Sequence, residues 1–309
     1  ALNRSSNEHA PESITHILHA TTVATNTVLE SKGAKSALVV TKGFRDILEI
    51  ARQRRPSLYE LNIQKAKPLI PRRMCFEVKE RMDWQGKVST PLTEKEMKRV
   101  SKALKASGAE SIVISFLFSF LNPVHEDQVK SYLKKHMPEK YIVTSAEVIP
   151  EFREFERAST ASLVGYLKPI FEKYIDRLTG KLKTLGHEPQ KLLIMNSAGG
   201  VMSPDSAQSR PHALIESGPA AGVIAATFLS KELHIPNVIS FDMGGTTAKA
   251  SLVVNNTYKT TTEYEIGMKL HQSLAVRYTG YPIKTPVIDL IECGAGGGSI
   301  ARVDDGGIL

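Results

Sequence analysis

A glycine turn that carries an acid and two hydroxyls is the segment of this sequence best suited to phosphate chemistry. It lies between Val238 and Val254 and reads Asp242-Met-Gly-Gly-Thr-Thr-Ala-Lys249. Adjacent glycines allow backbone conformations closed to other residues, and their N–H groups can converge on an anion such as phosphate. An acid at the end of the first strand could hold a hydrated Mg²⁺ beside that phosphate. The alternative is an ordinary β-hairpin whose turn needs glycine.

A second glycine-rich segment, Gly294-Ala-Gly-Gly-Gly-Ser-Ile300, follows an apolar stretch near the end of the sequence. Its glycines exceed what a turn needs, so we expect the close approach of a ligand or of a neighbouring backbone. The segment is not a dinucleotide-binding fingerprint, because Ser299 occupies the third glycine position and a strand is expected to follow.

A polar turn near the start of the sequence is a third candidate site. It contains His19, Thr21, Thr22 and Asn26, and it follows a predicted strand at 14–18. The end of a strand is the usual ligand edge of an open α/β sheet. Thr and Asn also commonly cap helices, and the two roles can coexist.

The elements around these segments alternate between strand and helix, which predicts an α/β fold. Short alternating segments over residues 68–150 indicate an α+β insertion or a continuation of the first domain. The charge-dense stretch 150–160 indicates a helix start with intrahelical ion pairs. A long helix is predicted from Ser162 to about Leu185, broken or kinked near Pro169. Further predicted elements are strands at 37–41, 112–118, 141–145 and 192–196, and helices at 43–52, 123–136 and 216–233.

Composition excludes several classes of protein. The chain has 309 residues, 41% hydrophobic and 23% charged, which suits a globular protein of two domains. Its longest apolar run, 112–121, is too short to cross a bilayer, so we expect no membrane association. The net charge of +8 arises within residues 1–150, but it is mixed with acids and favours a solvated surface over nucleic-acid binding. Cys75 and Cys293 lack CxxC spacing, which favours a cytoplasmic location over a disulfide framework or zinc site.

The sequence resembles the hydantoinase A/5-oxoprolinase family, within the superfamily of actin, heat-shock protein 70 and sugar kinases. Five ordered motifs carry the resemblance: His19-Ala-Thr-Thr-Val-Ala-Thr-Asn, Gly43-Phe-Arg-Asp, Glu151-Phe-Arg-Glu-Phe-Glu-Arg, Phe241-Asp-Met-Gly-Gly-Thr-Thr and Gly294-Ala-Gly-Gly-Gly-Ser-Ile. It implies a ribonuclease-H-like, actin-type ATPase fold with two lobes. The implied regions are 1–156, containing the insertion, and 157–309, with the second lobe starting at about residue 236.

The same resemblance implies ATP-dependent hydrolysis of a cyclic amide such as hydantoin, N-methylhydantoin or 5-oxoproline. ATP and Mg²⁺ or Mn²⁺ are the implied cofactors, and transfer of the γ-phosphate would activate the amide oxygen. The chain would act as an A-type subunit beside a larger B-type subunit. The alternatives are a subunit of an ATP-dependent ketone carboxylase and a non-catalytic nucleotide-binding fragment.

Site roles follow from the matched motifs. Asp242 is expected to bind the metal and to act in catalysis together with Thr246. The residues expected to bind the nucleotide are Gly244, Gly245, Thr246, Thr247, Lys249, Gly296, Gly297, Gly298 and Ser299. Those expected on the substrate side are His19, Thr21, Thr22 and Asn26. Lys249 stands where some relatives place an acid; it could contact phosphate as a point charge or face solvent.

The family also has an N-terminal phosphate loop of the type Asp-x-Gly-Gly-Thr-Phe-Thr-Asp, which this sequence does not contain. The family continues well beyond the second glycine segment. We therefore expect a fragment, incomplete at both ends, that holds the second of two phosphate loops.

Overall fold

A computed structural model gives the fold of the chain. It describes residues 14–54, 65–245, 247–267, 270–271, 274–275, 280–293, 296–300 and 302–303. The helices are α1 (Val23–Leu29), α2 (Ile47–Ile50), α3 (Glu94–Ser107), α4 (Val124–His136), α5 (Ser145–Val148), α6 (Glu154–Thr184), α7 (Pro204–Ser209) and α8 (Ser217–Glu232). The strands are β1 (Ile17–His19), β2 (Ser36–Thr41), β3 (Cys75–Val78), β4 (Arg81–Met82), β5 (Val88–Thr90), β6 (Ser111–Ser115), β7 (Tyr141–Thr144), β8 (Leu192–Met195), β9 (Val201–Met202), β10 (Val238–Met243), β11 (Ala248–Val254), β12 (Thr257–Tyr258), β13 (Thr260–Ile266), β14 (Leu270–His271), β15 (Leu274–Ala275), β16 (Tyr281–Ile288) and β17 (Ile291–Cys293).

A four-stranded parallel sheet in the order β3-β2-β6-β7 forms the first core. Every residue of β2 and β6 is buried, as expected when helices cover both faces of a parallel sheet. Helices α3, α4 and α6 contact this sheet. The alternation of strands and helices predicted from the sequence is therefore confirmed.

Helix α6 connects two hydrophobic cores. Ala158 and Ala161 pack into the core of the parallel sheet, whereas Leu163 and Phe171 pack into a second core. The second core lies beneath a three-stranded sheet in the order β1-β8-β9, in which β1 and β8 are parallel.

In the structure, the helix start predicted at 150–160 and the long helix predicted from Ser162 form the single helix α6. It begins in the charge-dense stretch, at Glu154, and continues through Pro169 without a break. The charges are paired: Arg157 contacts Glu154 one turn earlier and lies 3.6 Å from Glu126. Because Arg157 and Glu126 are fully buried, the stretch belongs to the core as well as to the helix start.

The helix predicted over residues 43–52 is much shorter in the structure. Gly43 has a φ of 93°, in the region that favours glycine, and its N–H donates to the Glu77 carboxylate at 2.7 Å. Ala51 also has a positive φ, 52°, which ends the helix. Only α2 remains between these two points.

The third sheet carries the glycine turn. Strands β10 and β11 form the antiparallel hairpin, and β12 and β17 pair with the other edge of β11. Helix α8 packs on one face of this sheet through Ala220 and Val223. Successive side chains of a strand point to opposite faces, and Ile239, Phe241 and Leu252 are exposed on the other face.

The remaining strands form the antiparallel pairs β4–β5, β13–β16 and β14–β15. Strand β16 lies against α6, where the Tyr281 hydroxyl donates to the Ser159 carbonyl at 2.8 Å. Among the described residues, no helix combines the length and the apolar character needed to cross a bilayer.

Candidate functional site

The glycine turn closes the hairpin one residue after Asp242. Asp242 lies opposite Lys249, and Met243 lies opposite Ala248. The Gly244 N–H donates to the Thr247 carbonyl at 2.9 Å, which closes the turn. Asp242 is therefore exposed at the end of a strand, beside the turn, as the sequence suggested.

The second glycine segment lies directly on this turn. The N–H groups of Gly297 and Gly298 donate to the carbonyls of Gly244 and Gly245, at 2.9 and 3.1 Å. A Cβ on Gly296 would lie 2.8 Å from the Gly244 and Gly245 carbonyl oxygens, so this position requires glycine. The close approach predicted for the segment is thus made by a neighbouring backbone.

Hydrogen bonds also hold the second segment in shape. The Gly296 N–H donates to Ser299 Oγ at 3.1 Å, and the Ser299 N–H donates to the Gly296 carbonyl at 2.9 Å. Both glycine segments expected to bind the nucleotide therefore meet at the end of β10. At Gly245, nothing in the described part of the chain lies within 4 Å of where a Cβ would stand. Thr246 lies outside the described residues.

Lys249 is neither exposed nor directed to open solvent. Its side chain is 11% exposed, and its ammonium pairs with the Glu216 carboxylate. The ammonium also lies 3.8 Å from Glu292 Oε1. The solvent-facing alternative for Lys249 is therefore wrong.

Glu216 is the residue of this region that the sequence analysis did not single out as part of a site. It stands immediately before α8 with a φ of 61°, and its side chain is only 2% exposed. Its N–H donates to Thr25 Oγ1 at 3.3 Å. The available signal was an acid placed directly before a helix of small residues, but nothing in the sequence indicated its partner, Lys249.

The ion pair lies in a weakly solvated environment. Burial raises the pKa of the Glu292 carboxyl; the Lys249 charge opposes this, and the Glu216 charge adds to it. Burial also raises the pKa of the Tyr264 hydroxyl well above its usual value, with the charges of Glu216 and Glu292 adding to the effect. The cluster formed by Lys249, Glu216 and Glu292 contains two carboxyl groups and one ammonium group.

The polar turn near residue 20 contacts the start of α8. The Thr21 N–H donates to Ser217 Oγ at 3.2 Å, and Ser217 Oγ donates to the Thr21 carbonyl at 2.9 Å. Asn26 Nδ2 donates to Thr22 Oγ1 at 3.3 Å. Thr22 occupies the N-cap position of α1, but its side chain makes no capping hydrogen bond among the described residues.

His19 faces a different neighbour. Its Nε2 lies 2.5 Å from the Tyr174 hydroxyl, and burial lowers the pKa of its imidazole. The structure thus connects Thr21 to Ser217 at the start of α8, next to Glu216, the partner of Lys249. The His19 ring instead contacts α6.

The donor set at Asp242 fits a cation that arrives with a nucleotide. Within the part of the chain that the structure describes, no three His, Cys, Asp or Glu side chains cluster closely enough to hold a metal ion. Mg²⁺ is commonly bound through one or two carboxylates, several waters and substrate phosphates, without an all-protein cage. A single exposed carboxylate beside two glycine segments matches that pattern.

Comparisons with known proteins agree with the architecture. The family described as Hydantoinase/oxoprolinase N-terminal region matches residues 1–137, and the family described as Hydantoinase/oxoprolinase matches residues 157–309. The chain belongs to the hydantoinase/oxoprolinase family.

Similar family members come from several organisms. An uncharacterized protein of Methanocaldococcus jannaschii is 45% identical, over 96% of this chain and 44% of its own length. The acetophenone carboxylase gamma subunit of Aromatoleum aromaticum is 32% identical, over 94% of this chain and 40% of that subunit. Caprolactamase subunit alpha of Pseudomonas jessenii is 30% identical, with the same coverage of 94% and 40%. The chain spans less than half the length of these relatives.

Two solved structures share the fold. The ATP-dependent caprolactamase of Pseudomonas jessenii superposes with a TM-score of 0.83 at 28% identity, over 98% of this chain and 43% of that one. Nucleotide-free acetone carboxylase gives 0.80 at 25% identity, over 99% and 43%. The predicted actin-type α/β fold is confirmed.

Proposed function

We propose that the protein is the ATP-using, A-type subunit of an enzyme that opens a cyclic amide of the hydantoin, N-methylhydantoin or 5-oxoproline type. The observation that carries this proposal is the backbone stacking of Gly297 and Gly298 on the turn that follows Asp242. Beside this turn, the Asp242 carboxylate is exposed, and no described residue lies within 4 Å of a Cβ at Gly245. The caprolactamase relative supports the choice of a cyclic amide, because its name identifies a lactam as its substrate.

The predicted residues other than Lys249, whose ammonium is paired with Glu216, have these roles in the proposal. Asp242 would hold Mg²⁺ or Mn²⁺ together with the nucleotide. Thr246 would contact the nucleotide and act in catalysis beside Asp242. Gly245 and Thr247 contact the phosphates. The other residues of the two glycine segments line the nucleotide site and hold its shape, because their N–H groups donate within the segments: Gly244, Gly296, Gly297, Gly298 and Ser299. The polar turn faces the substrate: His19, Thr21, Thr22 and Asn26.

The proposed reaction depends more on the positioning of its substrates than on a reactive side chain. Phosphoryl transfer is catalysed mainly by alignment and by stabilisation of negative charge, which backbone amides and a divalent cation supply. The amide oxygen accepts the γ-phosphoryl group, and water then attacks the activated carbon. ATP, water and the cyclic amide are consumed, and ADP, phosphate and the ring-opened amino acid form.

A ketone carboxylase subunit is the second candidate. Its support is the 32% identity to the acetophenone carboxylase gamma subunit and the TM-score of 0.80 with acetone carboxylase. Such an enzyme would activate a ketone through its enol phosphate, using the same phosphate loop. A non-catalytic nucleotide-binding role for the 309-residue chain is the third.

The test measures ADP release by the full-length protein purified with the product of the neighbouring reading frame, which is the place to look for a B-type subunit. The substrates are hydantoin, N-methylhydantoin, 5-oxoproline, and acetone with bicarbonate. We expect turnover that depends on a cyclic amide and not on bicarbonate. Turnover only with the ketone and bicarbonate would replace the amidase with the carboxylase.

A further inference from the structure

A row of alternating charge crosses the third sheet beside the glycine turn. Asp242 on β10 lies opposite Lys249 on β11, and Lys249 lies opposite Glu292 on β17. Directly opposed residues of antiparallel strands share one face, with Cβ atoms about 4.5–5.5 Å apart. Lys249 therefore has an acid on each side within the sheet, and one of these acids is the proposed metal ligand.

The ammonium of Lys249 pairs with two acids other than Asp242. Among the described residues its ion pairs are with Glu216 and Glu292, and none is with Asp242. The Glu216 side chain is buried, and hydrogen bonds fix both its backbone N–H and its backbone carbonyl. Its N–H donates to Thr25 Oγ1, and its carbonyl accepts from the Ala220 N–H at 3.0 Å.

A free ammonium at this position would interfere with the metal. A positive charge beside Asp242 would repel a divalent cation and pair with the carboxylate that the cation needs. Such interactions are stronger where solvent is excluded, and the Lys249 side chain is largely buried. Two carboxylates that neutralise Lys249 remove this conflict.

We propose that Glu216 is a positioning residue that draws the Lys249 ammonium away from Asp242, so that the Asp242 carboxylate remains available to a nucleotide-bound divalent cation. The proposal rests on the proposed role of Asp242. It gives Lys249 a role within the protein and not as a phosphate contact. It also explains why the start of α8, the hairpin and β17 meet at one buried ion pair.

The test is calorimetric titration of Mn²⁺-ADP into the full-length protein and its variants. Glu216→Gln keeps the shape of the side chain but removes the charge, and we expect the dissociation constant to rise about tenfold, a typical coupling between contacting groups. In the double variant Glu216→Gln/Lys249→Met the released ammonium is absent, and we expect affinity close to that of the wild type. Because Lys249→Met would also relieve a fold destabilised by a buried lysine without its partner, restored affinity supports the positioning role only where Glu216→Gln unfolds at the same temperature as the wild type.

Thermal unfolding of each variant provides the folding control. Should Glu216→Gln fail to fold, Glu292→Gln removes the other partner of Lys249. It should weaken binding in the same direction, and Lys249→Met should again restore affinity.

The outcomes separate the two proposals. Wild-type affinity in Glu216→Gln and Glu292→Gln, or a double variant as weak as the single one, overturns the positioning role while Asp242 keeps its own. If Asp242→Asn binds Mn²⁺-ADP as well as the wild type, or if the wild type does not bind it, the proposed site and the inference both fail.

Discussion

Asp242 is the residue on which the proposed chemistry depends most directly. It is exposed, it is the penultimate residue of β10, and its neighbours across the sheet and along the turn are fixed by hydrogen bonds and ion pairs. An exposed carboxylate whose surroundings are this rigid contributes little to folding, so its replacement should affect ligand binding and leave the stability of the fold almost unchanged.

Asp242→Asn should therefore weaken Mg-ATP binding without unfolding the protein. We expect the dissociation constant to rise about tenfold, which corresponds to ~1.4 kcal/mol. Calorimetric titration of Mg-ATP measures the change, and the thermal midpoint should match that of the wild type. Asp205→Asn, at another exposed acid, is the matched control and should bind as the wild type does. Equal binding by Asp242→Asn would remove Asp242 from the site.

Gly296 tests whether the contact between the two glycine segments matters. An added methyl would lie 2.8 Å from backbone atoms of Gly244 and Gly245, which are not flexible side-chain ends. Gly296→Ala should cost about 1–3 kcal/mol of unfolding free energy, the usual range for overpacking. Urea unfolding measures this loss.

The control for Gly296→Ala is Gly180→Ala within α6. Nothing in the described structure lies within 4 Å of a Cβ at Gly180. Alanine in a helix interior is favoured over glycine by roughly 0.5–1 kcal/mol, so this variant should gain stability. Two glycine-to-alanine changes with opposite signs would attribute the loss at Gly296 to the close backbone contact.

The sequence predicted the turn and the presence of a close backbone approach, but not the ion pair behind them. Asp242 and the glycines are recognisable because their spacing is local and their residue types are unusual. Glu216 and Lys249 are 33 positions apart and meet only through the packing of α8 on the hairpin. Neither residue type is unusual on a surface, so no local pattern indicated that both are buried.

Helix α6 likewise shows that a local sequence pattern can predict an element without revealing its tertiary contacts. Its apolar face and its approximate end were predictable, as was the pair between Arg157 and Glu154 one turn apart. The sequence could not show that Arg157 also reaches Glu126 on α4 inside the core. A stretch of alternating charge usually faces solvent, and only the tertiary contact reveals that this one does not.

The buried arginine should be the most sensitive position of this helix. Arg157 is 0% exposed, and it donates to the Phe116 carbonyl at 3.3 Å and to Ser145 Oγ at 2.5 Å. Arg157→Met leaves the Glu126 carboxyl without its cation, and loss of one partner of a buried pair costs about 3–5 kcal/mol. Urea unfolding measures the loss, and Arg73→Met, at an exposed arginine, should stay close to the wild type.

The unfolding free energy lost in Arg157→Met should increase with pH. Burial raises the pKa of the Glu126 carboxyl above its usual 4.5, and hydrogen bonds and the Arg157 charge oppose this rise. A raised pKa in the folded state stabilises the fold at low pH, and this contribution is lost as pH increases through that pKa. Without Arg157 the pKa rises further, so the deficit of Arg157→Met should be larger at neutral pH than below pH 4.5. A deficit that does not change with pH would contradict this account of Glu126.

In the whole molecule, α6 joins the parallel sheet to the sheet that carries β1. The predicted boundary between regions 1–156 and 157–309 falls within this helix, and that boundary stays a prediction. The third sheet is different: α8 covers one face, whereas the other face is open in the described residues. The exposed apolar side chains of that sheet are Ile239, Phe241, Met243, Leu252, Val254 and Ile291.

This open face should make the 309-residue chain associate with itself. Ile239 and Leu252 are directly paired across β10 and β11 and are 69% and 59% exposed. Contiguous apolar patches of this kind mark interaction sites or aggregation liabilities. Ile239→Lys/Leu252→Lys should shift the chain towards monomer in sedimentation velocity, because two ammonium groups cannot be buried at the contact without a large desolvation cost. Trp84→Lys removes a large exposed side chain elsewhere and should leave association unchanged. If the double lysine variant associates as strongly as the wild type, the contact between chains lies on another surface.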